Sequence, residues 1–388
     1  MGIRQVIVMR GGNMEEHGIE KRQSGIELLK IIGMVLIVIA HVQGSVIAAG
    51  RNWDCVQSMN TATENWQYVI LMMFGYFGCL GNNIFLISSA WFLCGSGRKR
   101  SNKKMLNMVL DVWIISVMYL LLFVVLGEKI TIKDAIKSFF PTILNNNWYI
   151  TGYLLLYAVF PYLNRMIERM TQRELLTFNI AGFCLYYGIS FVKRSFFVNE
   201  LILFIVMYFF IAYIKTYMNT FFAGKKVNYT LLLLGGGMTA GITLLTNFVG
   251  LKIEYIGTHI GYWVSMSNPF LLMIAVALFQ IFRQKTFVNT AVNIVSGLSL
   301  YVYIIHENLL MRTILRPRVF YYIYTRAGYQ YIVLWVLGFA ALLFIGSAMA
   351  AFVFKCTVHR LSERITQKIY GKIVPVYDRW IRLAMKIN

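Results

Sequence analysis

The amino-acid sequence predicts an all-α, polytopic integral membrane protein with about ten transmembrane helices. Hydrophobic residues make up 58% of the 388 residues, and the mean hydropathy is +0.62. Charged residues contribute only 14%, well below the roughly 25% of soluble domains. Because many of the apolar stretches are long enough to cross a hydrocarbon core, this composition indicates a membrane protein rather than a soluble one.

Ten apolar segments are expected to form the membrane-spanning helices. They cover approximately residues 25–48, 67–94, 105–127, 148–164, 175–192, 199–218, 228–250, 260–282, 290–311 and 330–355. The fourth segment is short, and the junction at 186–200 contains Lys193 and Arg194. Eight or eleven spans are therefore alternatives to ten.

The basic residues predict on which side of the membrane the termini lie. With ten spans both termini share one face, and that face holds 25 of the Lys and Arg residues, against 11 on the opposite face. The positive-inside rule then places both termini in the cytoplasm. Because the basic residues alternate with apolar segments, the net charge of +21 reflects topology, and no nucleic-acid partner is expected.

Three regions follow from this pattern. Residues 1–24 are expected to be a cytoplasmic extension, residues 25–355 the ten-helix membrane domain, and residues 356–388 a basic cytoplasmic tail. The tail sets Ile373, Val376, Trp380 and Leu383 against Arg and Lys residues, which predicts an interfacial amphipathic helix attracted to anionic lipids. A solvated basic tail is the alternative, and His359 is expected to be solvated.

The first span carries an unusual polar stripe formed by Glu27, Lys30 and His41. The eleven residues from Lys30 to His41 amount to three helical turns plus about 20°, so both side chains lie on one face, roughly 16 Å apart along the axis. Ionisable groups at membrane depth are costly unless they face a protein interior or a water-filled cavity. The stripe is therefore the first candidate for a functional site.

Motifs for other chemistries are absent from the sequence. The five cysteines follow neither a disulfide pattern nor a metal-ligand spacing, and no Walker motif, dinucleotide fingerprint or HExxH pair occurs. We therefore expect no bound metal and no permanently bound cofactor. Asp111 is expected to form an ion pair with Lys103 and Lys104 at the inner membrane edge.

Four patterns, in chain order, resemble the membrane acyltransferase 3 family. The segment from Glu27 through Lys30 to His41 resembles the basic-x10-His signature of the family's first helix, including the acidic residue three positions before the basic one. The stretch Gly81 to Ala90 is similar to its Gly-x-x-x-Phe-x-x-x-Ser-Gly element, with Ala90 in place of the usual glycine.

The other two patterns lie later in the chain. Asn147-Trp148-Tyr149, followed by Leu156-Tyr157 and Pro161, resembles the family's fourth helix. The run Ser299-x-Tyr301-x-Tyr303-x-x-His306-Glu307 is similar to its late Ser-x-x-x-Tyr-x-x-His element. The ordered set spans essentially the whole chain.

The resemblance implies transfer of an acyl group, most often acetyl, from cytoplasmic acyl-coenzyme A to a hydroxyl of a cell-surface or lipid-linked polysaccharide, in a bacterial cytoplasmic membrane. A sugar hydroxyl is a poor nucleophile, so the reaction needs a general base, for which histidine is the natural choice. A transporter or flippase of an amphipathic metabolite or glycolipid is the alternative, in which the polar stripe would line the path. Acyl-coenzyme A, the glycan acceptor and membrane lipids are the expected partners.

On this interpretation His41, Lys30 and Glu27 are the expected catalytic residues. His41 is the general base, and Lys30 also binds the donor. Acceptor contacts are expected from one group of residues: His306, Tyr303, Ser299, Trp148, Arg312, Arg316 and Arg318. The arginines lie on the predicted outer face, where guanidinium groups suit an anionic acceptor. Simpler roles remain open: helix packing for the histidines, snorkelling for Lys30, an aromatic-belt anchor for Trp148, and lipid headgroups for the arginines.

Overall fold

The structure is a computed structural model that describes residues 23–53, 61–95, 101–193, 199–328 and 330–384. Within these ranges the chain is helical and contains no strand. We number its main helices α1 Ser24–Trp53, α2 Trp66–Leu93, α3 Asn102–Val125, α4 Ile132–Phe139, α5 Trp148–Arg169, α6 Gln172–Val192, α7 Glu200–Tyr217, α8 Lys225–Gly250, α9 Pro269–Arg283, α10 Thr290–Ser296, α11 Ser299–His306, α12 Arg316–Ala327, α13 Ile332–Cys356 and α14 Val358–Ala384.

Seven of these helices are long and apolar enough to cross a membrane, which confirms the predicted fold class. They are α1, as far as Ala49, together with α2, α3, α6, α7, α8 and α13. The chain is therefore a multi-pass membrane protein. The number of spans and the side on which the termini lie remain predictions.

Three of the ten predicted spans are not among these seven long apolar helices. The fourth is helix α5, which is 22 residues long but ends in polar residues. The eighth is shortened to the 15 residues of α9, because Pro269 starts the helix and the side chain of Asn268 caps it. The ninth is divided between α10 and α11.

Helix α1 lies at the centre of the bundle and contacts α2, α9, α10, α11, α12 and α13. Small residues let α2 approach it closely: a Cβ atom added to Gly81 would lie 2.4 Å from the carbonyl oxygen of Gly33. This is the packing expected between membrane helices, where small residues allow two backbones to meet. Helix α1 can therefore present different side chains to several partners at once.

The two described ends of the transmembrane part lie at the same end of the bundle. Ser24, at the start of α1, donates a hydrogen bond to the side chain of Asn293 at 2.9 Å. Lys355, at the end of α13, contacts the carbonyl of Gly297 at 3.4 Å. Both partners lie within residues 293–297, in and just after α10, so the start of α1 and the end of α13 lie close together.

Helix α14 packs against α3 and α13, and the contacts correct two expectations. His359 Nδ1 lies 3.0 Å from Asp111 Oδ2, and the hydroxyl of Tyr301 donates to the same oxygen at 3.0 Å. His359 is thus enclosed rather than solvated, and Asp111 binds His359 and Tyr301 rather than Lys103 and Lys104. The side chains of Trp380 and Leu383 lie outside the described part of the chain.

Candidate active site

His41 meets two residues from the end of α11. Its Nδ1 atom lies 3.0 Å from Nε2 of His306 and 3.0 Å from Oε2 of Glu307. His306 and Glu307 are buried, while the His41 side chain is 24% exposed. The cluster is therefore enclosed by protein but accessible at His41.

The hydrogen bonds determine which nitrogen of His41 is free to accept a proton. His306 Nδ1 lies 2.6 Å from the carbonyl oxygen of Val302, and a carbonyl can only accept, so Nδ1 carries the hydrogen. In a neutral ring Nε2 of His306 then accepts, and its donor is the Nδ1–H group of His41. This tautomer leaves a lone pair on Nε2 of His41.

Two arginines hold the carboxylate of Glu307. Arg312 Nη1 contacts Oε1 at 3.2 Å, and Arg316 Nη2 contacts Oε2 at 3.0 Å. Arg316 is 4% exposed, so its guanidinium group is almost wholly enclosed. The sequence motifs predict no role for Glu307. A carboxylate directly after His306 within an apolar segment is nevertheless a signal of a functional residue.

Arg312 and Arg316 lie four residues apart, where the helix changes register. Residues Met311–Leu315 form a π-helical turn just before α12. Pro317, at the second position of α12, has no backbone N–H to bond to the preceding turn, which favours such a local change. π-Helical turns are frequent at functional sites.

Aromatic residues pack on one side of the cluster. The ring of Tyr303 lies 6.3 Å from that of His41 and 6.5 Å from that of Tyr149. Trp148 packs edge-on against Tyr149 at 5.6 Å. The rings of Tyr149 and Tyr303 therefore connect Trp148 to His41.

Two further predicted acceptor residues, Ser299 and Arg318, also have their contacts outside the His41 cluster. Ser299 begins α11 and is buried, roughly 10 Å along the helix axis from His306. Arg318 is exposed and donates hydrogen bonds to both carboxylate oxygens of Glu128, one of them at 3.1 Å. These hydrogen bonds hold the pKa of Glu128 below its usual value. The acceptor roles of both residues remain predictions.

Lys30 and Glu27 form a separate pair near the start of α1. Lys30 Nζ lies 3.2 Å from Oε1 of Glu27, and the hydroxyl of Ser296 donates to the other carboxylate oxygen. Met34 and Ile37 occupy the same face of α1 between Lys30 and His41, and they are 3% and 2% exposed. Packed side chains therefore fill the space between the two ends of the predicted stripe.

The nitrogen and oxygen atoms of His41, His306 and Glu307 lie within 4.8 Å of one another, a spacing that a metal ion could use. The surroundings do not fit a cation, because Arg312 and Arg316 already give the cluster an excess of positive charge. A metal would also have to replace the hydrogen bond between the two histidines. The site is better described as a hydrogen-bonded acid–base cluster.

Comparison with known proteins identifies the family of the chain. A family model described as an acyltransferase domain matches residues 23–351, a range that includes Glu27, Lys30, His41, His306 and Glu307. No curated protein and no solved structure matches the chain. The match confirms the resemblance found in the sequence motifs: the chain belongs to the membrane acyltransferase 3 family and is a membrane acyltransferase.

Proposed function

We propose that the protein transfers an acyl group, acetyl in the first instance, from cytoplasmic acyl-coenzyme A to a hydroxyl group of a cell-surface or lipid-linked polysaccharide. Family membership supports acyl transfer over the alternative of a transporter or flippase. The proposed location is a bacterial cytoplasmic membrane, with the donor on the side of the termini.

One observation carries the proposal: Nδ1 of His41 lies 3.0 Å from Nε2 of His306, and the tautomer of His41 is inferred from this contact. Its Nδ1–H group is engaged by His306, so Nε2 is left to accept the proton of an acceptor hydroxyl. A positioned histidine base contributes about 10²- to 10⁴-fold in rate. The 24% exposure of the His41 side chain supports access for an acceptor.

Glu307 supports the same chemistry by electrostatics. When His41 takes a proton it becomes an imidazolium ion, and the carboxylate 3.0 Å from Nδ1 stabilises that charge. The oxygen contacted by His41 has no well-aligned hydrogen bond among the described residues, so this interaction is a charge contact rather than a directed hydrogen bond. Arg312 and Arg316 hold the carboxylate in place.

Lys30 is suited to the donor. On the predicted topology it lies near the cytoplasmic end of α1, where an ammonium group can meet the phosphates of coenzyme A. The side chains of Met34 and Ile37 must then move for the thioester to reach His41. Methionine has three rotatable side-chain bonds and adapts readily, so Met34 is the more suitable of the two to make way.

The experiment that tests this function measures release of free thiol from acetyl-coenzyme A by the purified protein in detergent or nanodiscs. Addition of extracted surface glycan should increase the release, and acetyl ester should accumulate on the glycan in equal amount. Glycan that has been exhaustively acetylated beforehand is the control. Equal thiol release with and without acceptor, and no glycan ester, would contradict the proposal.

A further inference from the structure

We infer that Arg316 donates the hydrogen bonds that stabilise the oxyanion formed during acyl transfer, an inference that rests on the proposed function. Attack of a hydroxyl on a thioester carbonyl places negative charge on the carbonyl oxygen. Preorganised donors aimed at that oxygen make a large contribution to the rate in enzymes of acyl transfer.

Arg316 has two donor nitrogens that are enclosed and unused. Its side chain is 5% exposed, and its Nη2 atom contacts Glu307. The Nε and Nη1 atoms are buried and have no hydrogen-bond partner among the described residues. Because arginine stays protonated, these N–H groups cannot be relieved by losing a proton, and leaving charged donors unpaired in a buried site is costly. They are suited to an oxygen supplied by a ligand.

The charge of the cluster points to a negatively charged ligand atom. Glu307 supplies one negative charge, while Arg312 and Arg316 supply two positive charges, and the hydrogen-bond pattern fits neutral histidines. The enclosed site therefore carries an excess of positive charge before the reaction. An oxyanion that forms beside these guanidinium groups is stabilised by that excess of positive charge.

Arg316 is close enough to His41 for both to act at one reacting carbon. Nη2 of Arg316 and Nδ1 of His41 each lie 3.0 Å from the same oxygen of Glu307. The two nitrogens are thus no more than twice that distance apart. Arg312 is less suitable, because its side chain is 31% exposed and contacts the other carboxylate oxygen.

The acceptor oxygen forms a bond to the thioester carbon while its proton moves to Nε2 of His41, and the carbonyl π electrons move to the oxygen that Arg316 binds. When the tetrahedral adduct collapses, the C=O bond re-forms, the C–S bond breaks, and its electron pair leaves on the sulfur of coenzyme A. The sulfur takes the proton from His41, which restores the neutral base and yields the free thiol.

The test compares Arg316→Ala, Arg316→Lys and Arg326→Ala in the full-length protein. Arg326 is the matched control, because it belongs to the same helix α12, is exposed, and stacks its guanidinium group on Tyr322 at 5.0 Å. For the Arg316 variants we expect kcat to fall about 10²- to 10³-fold, with acceptor KM and the Kd of a non-hydrolysable acetyl-coenzyme A analogue within about threefold of the parent. Millimolar guanidinium should restore part of the kcat of Arg316→Ala and leave Arg326→Ala unchanged.

Arg316→Lys keeps a positive charge that can pair with Glu307. If Arg316→Ala does not fold, the kcat of Arg316→Lys tests the inference. A well-folded lysine variant with parental kcat would overturn the inference. So would a raised acceptor KM with unchanged kcat, because Arg316 would then bind an anionic group of the acceptor rather than the oxyanion. A parent protein that releases no glycan-dependent thiol would instead overturn the proposed function itself, a result distinct from a slow variant beside an active parent.

Discussion

His41 Nδ1 lies 3.0 Å from His306 Nε2, although the two residues are 265 positions apart in the chain. This contact joins the first predicted span to the ninth. Because the other nitrogen of His306 is engaged by the carbonyl of Val302, a backbone atom of α11 determines the tautomer of a side chain on α1. The orientation of the proposed base therefore depends on how these two helices pack.

The first prediction concerns Glu307. Replacing Glu307 with Gln removes the charge that stabilises protonated His41, and a hydrogen bond or contact to a charged group is worth roughly 1.5 to 3 kcal/mol. We expect kcat to fall about 10- to 100-fold, while binding of the donor analogue is retained. Glu254→Gln, an exposed glutamate outside the cluster, is the control. Parental kcat in Glu307→Gln would argue against any electrostatic role.

The second prediction concerns Lys30. Lys30→Ala should weaken binding of a non-hydrolysable acetyl-coenzyme A analogue about 10- to 100-fold, the loss expected for a charge-assisted hydrogen bond, and Lys30→Arg should partly restore it. Isothermal titration calorimetry measures the change, with Lys252→Ala as a control. If Lys30→Ala binds the analogue as tightly as the parent, the donor-binding role of Lys30 is wrong.

The third prediction tests the contact between α1 and α2. Gly81→Ala places a Cβ atom 2.4 Å from the carbonyl oxygen of Gly33, and overpacking of this kind costs about 1 to 3 kcal/mol. Thermal unfolding in detergent should show a lower Tm. Gly44→Ala is the matched control, because nothing lies within 4 Å of its Cβ position. A Gly81→Ala protein as stable as Gly44→Ala would show that the close approach is not required.

The fourth prediction concerns pH and the docking of α14. The hydrogen bond to Asp111 raises the pKa of His359 above its ordinary value of 6.5. A raised pKa in the folded protein means that the interaction is fully present below pH 6.5 and is lost as the pH rises through the higher, folded-state value. Glu363 and Lys355 also act on His359, and they oppose each other.

Cysteine labelling can measure this effect. Thr366 is buried on α14, so labelling of Thr366→Cys should increase above pH 6.5 relative to the exposed position in Gln367→Cys, which corrects for the reactivity of the thiolate itself. Adding His359→Ala to the Thr366→Cys protein should remove the pH dependence of its labelling. A constant ratio across pH in the parent background would contradict the role of His359.

The fifth prediction concerns topology. From the partition of 25 against 11 basic residues, cysteines at positions 100 and 225 should label only from the cytoplasm, and those at positions 54 and 254 only from outside. A Cys-free parent provides the background. Labelling of positions 100 and 254 from the same side would rule out the ten-span arrangement and the inward position of Lys30.

Composition and long apolar runs were enough to predict the fold class, and helical periodicity was enough to predict the stripe on α1. The apolar runs gave α2 and α7 to within a residue or two, since long apolar helices need no tertiary information to be recognised. The sequence did not predict that the ninth span is divided into two helices. The break falls at Gly297 and Leu298, where α10 ends and α11 begins, and an average over an apolar window does not capture such a local break.

The contacts of the site could not be predicted from spacing alone. The sequence places Lys30 and His41 on one face, but pairing His41 with His306 and Glu307 requires the packing of α1 against α11. The same holds for His359, whose partner Asp111 lies 248 positions away. Charged residues within apolar segments were the available signal, and Glu307 shows that the signal identifies a candidate without identifying its partner.

The most direct test of the central claim measures chemistry and donor binding on His41→Ala together. His41 is proposed to take the proton of the acceptor, so kcat for glycan-dependent thiol release should fall about 10²- to 10⁴-fold, while isothermal titration calorimetry finds unchanged affinity for the donor analogue. His259→Ala, an exposed histidine outside the cluster, should keep parental values for both. Full turnover by His41→Ala would contradict the account and leave the histidine cluster as helix packing.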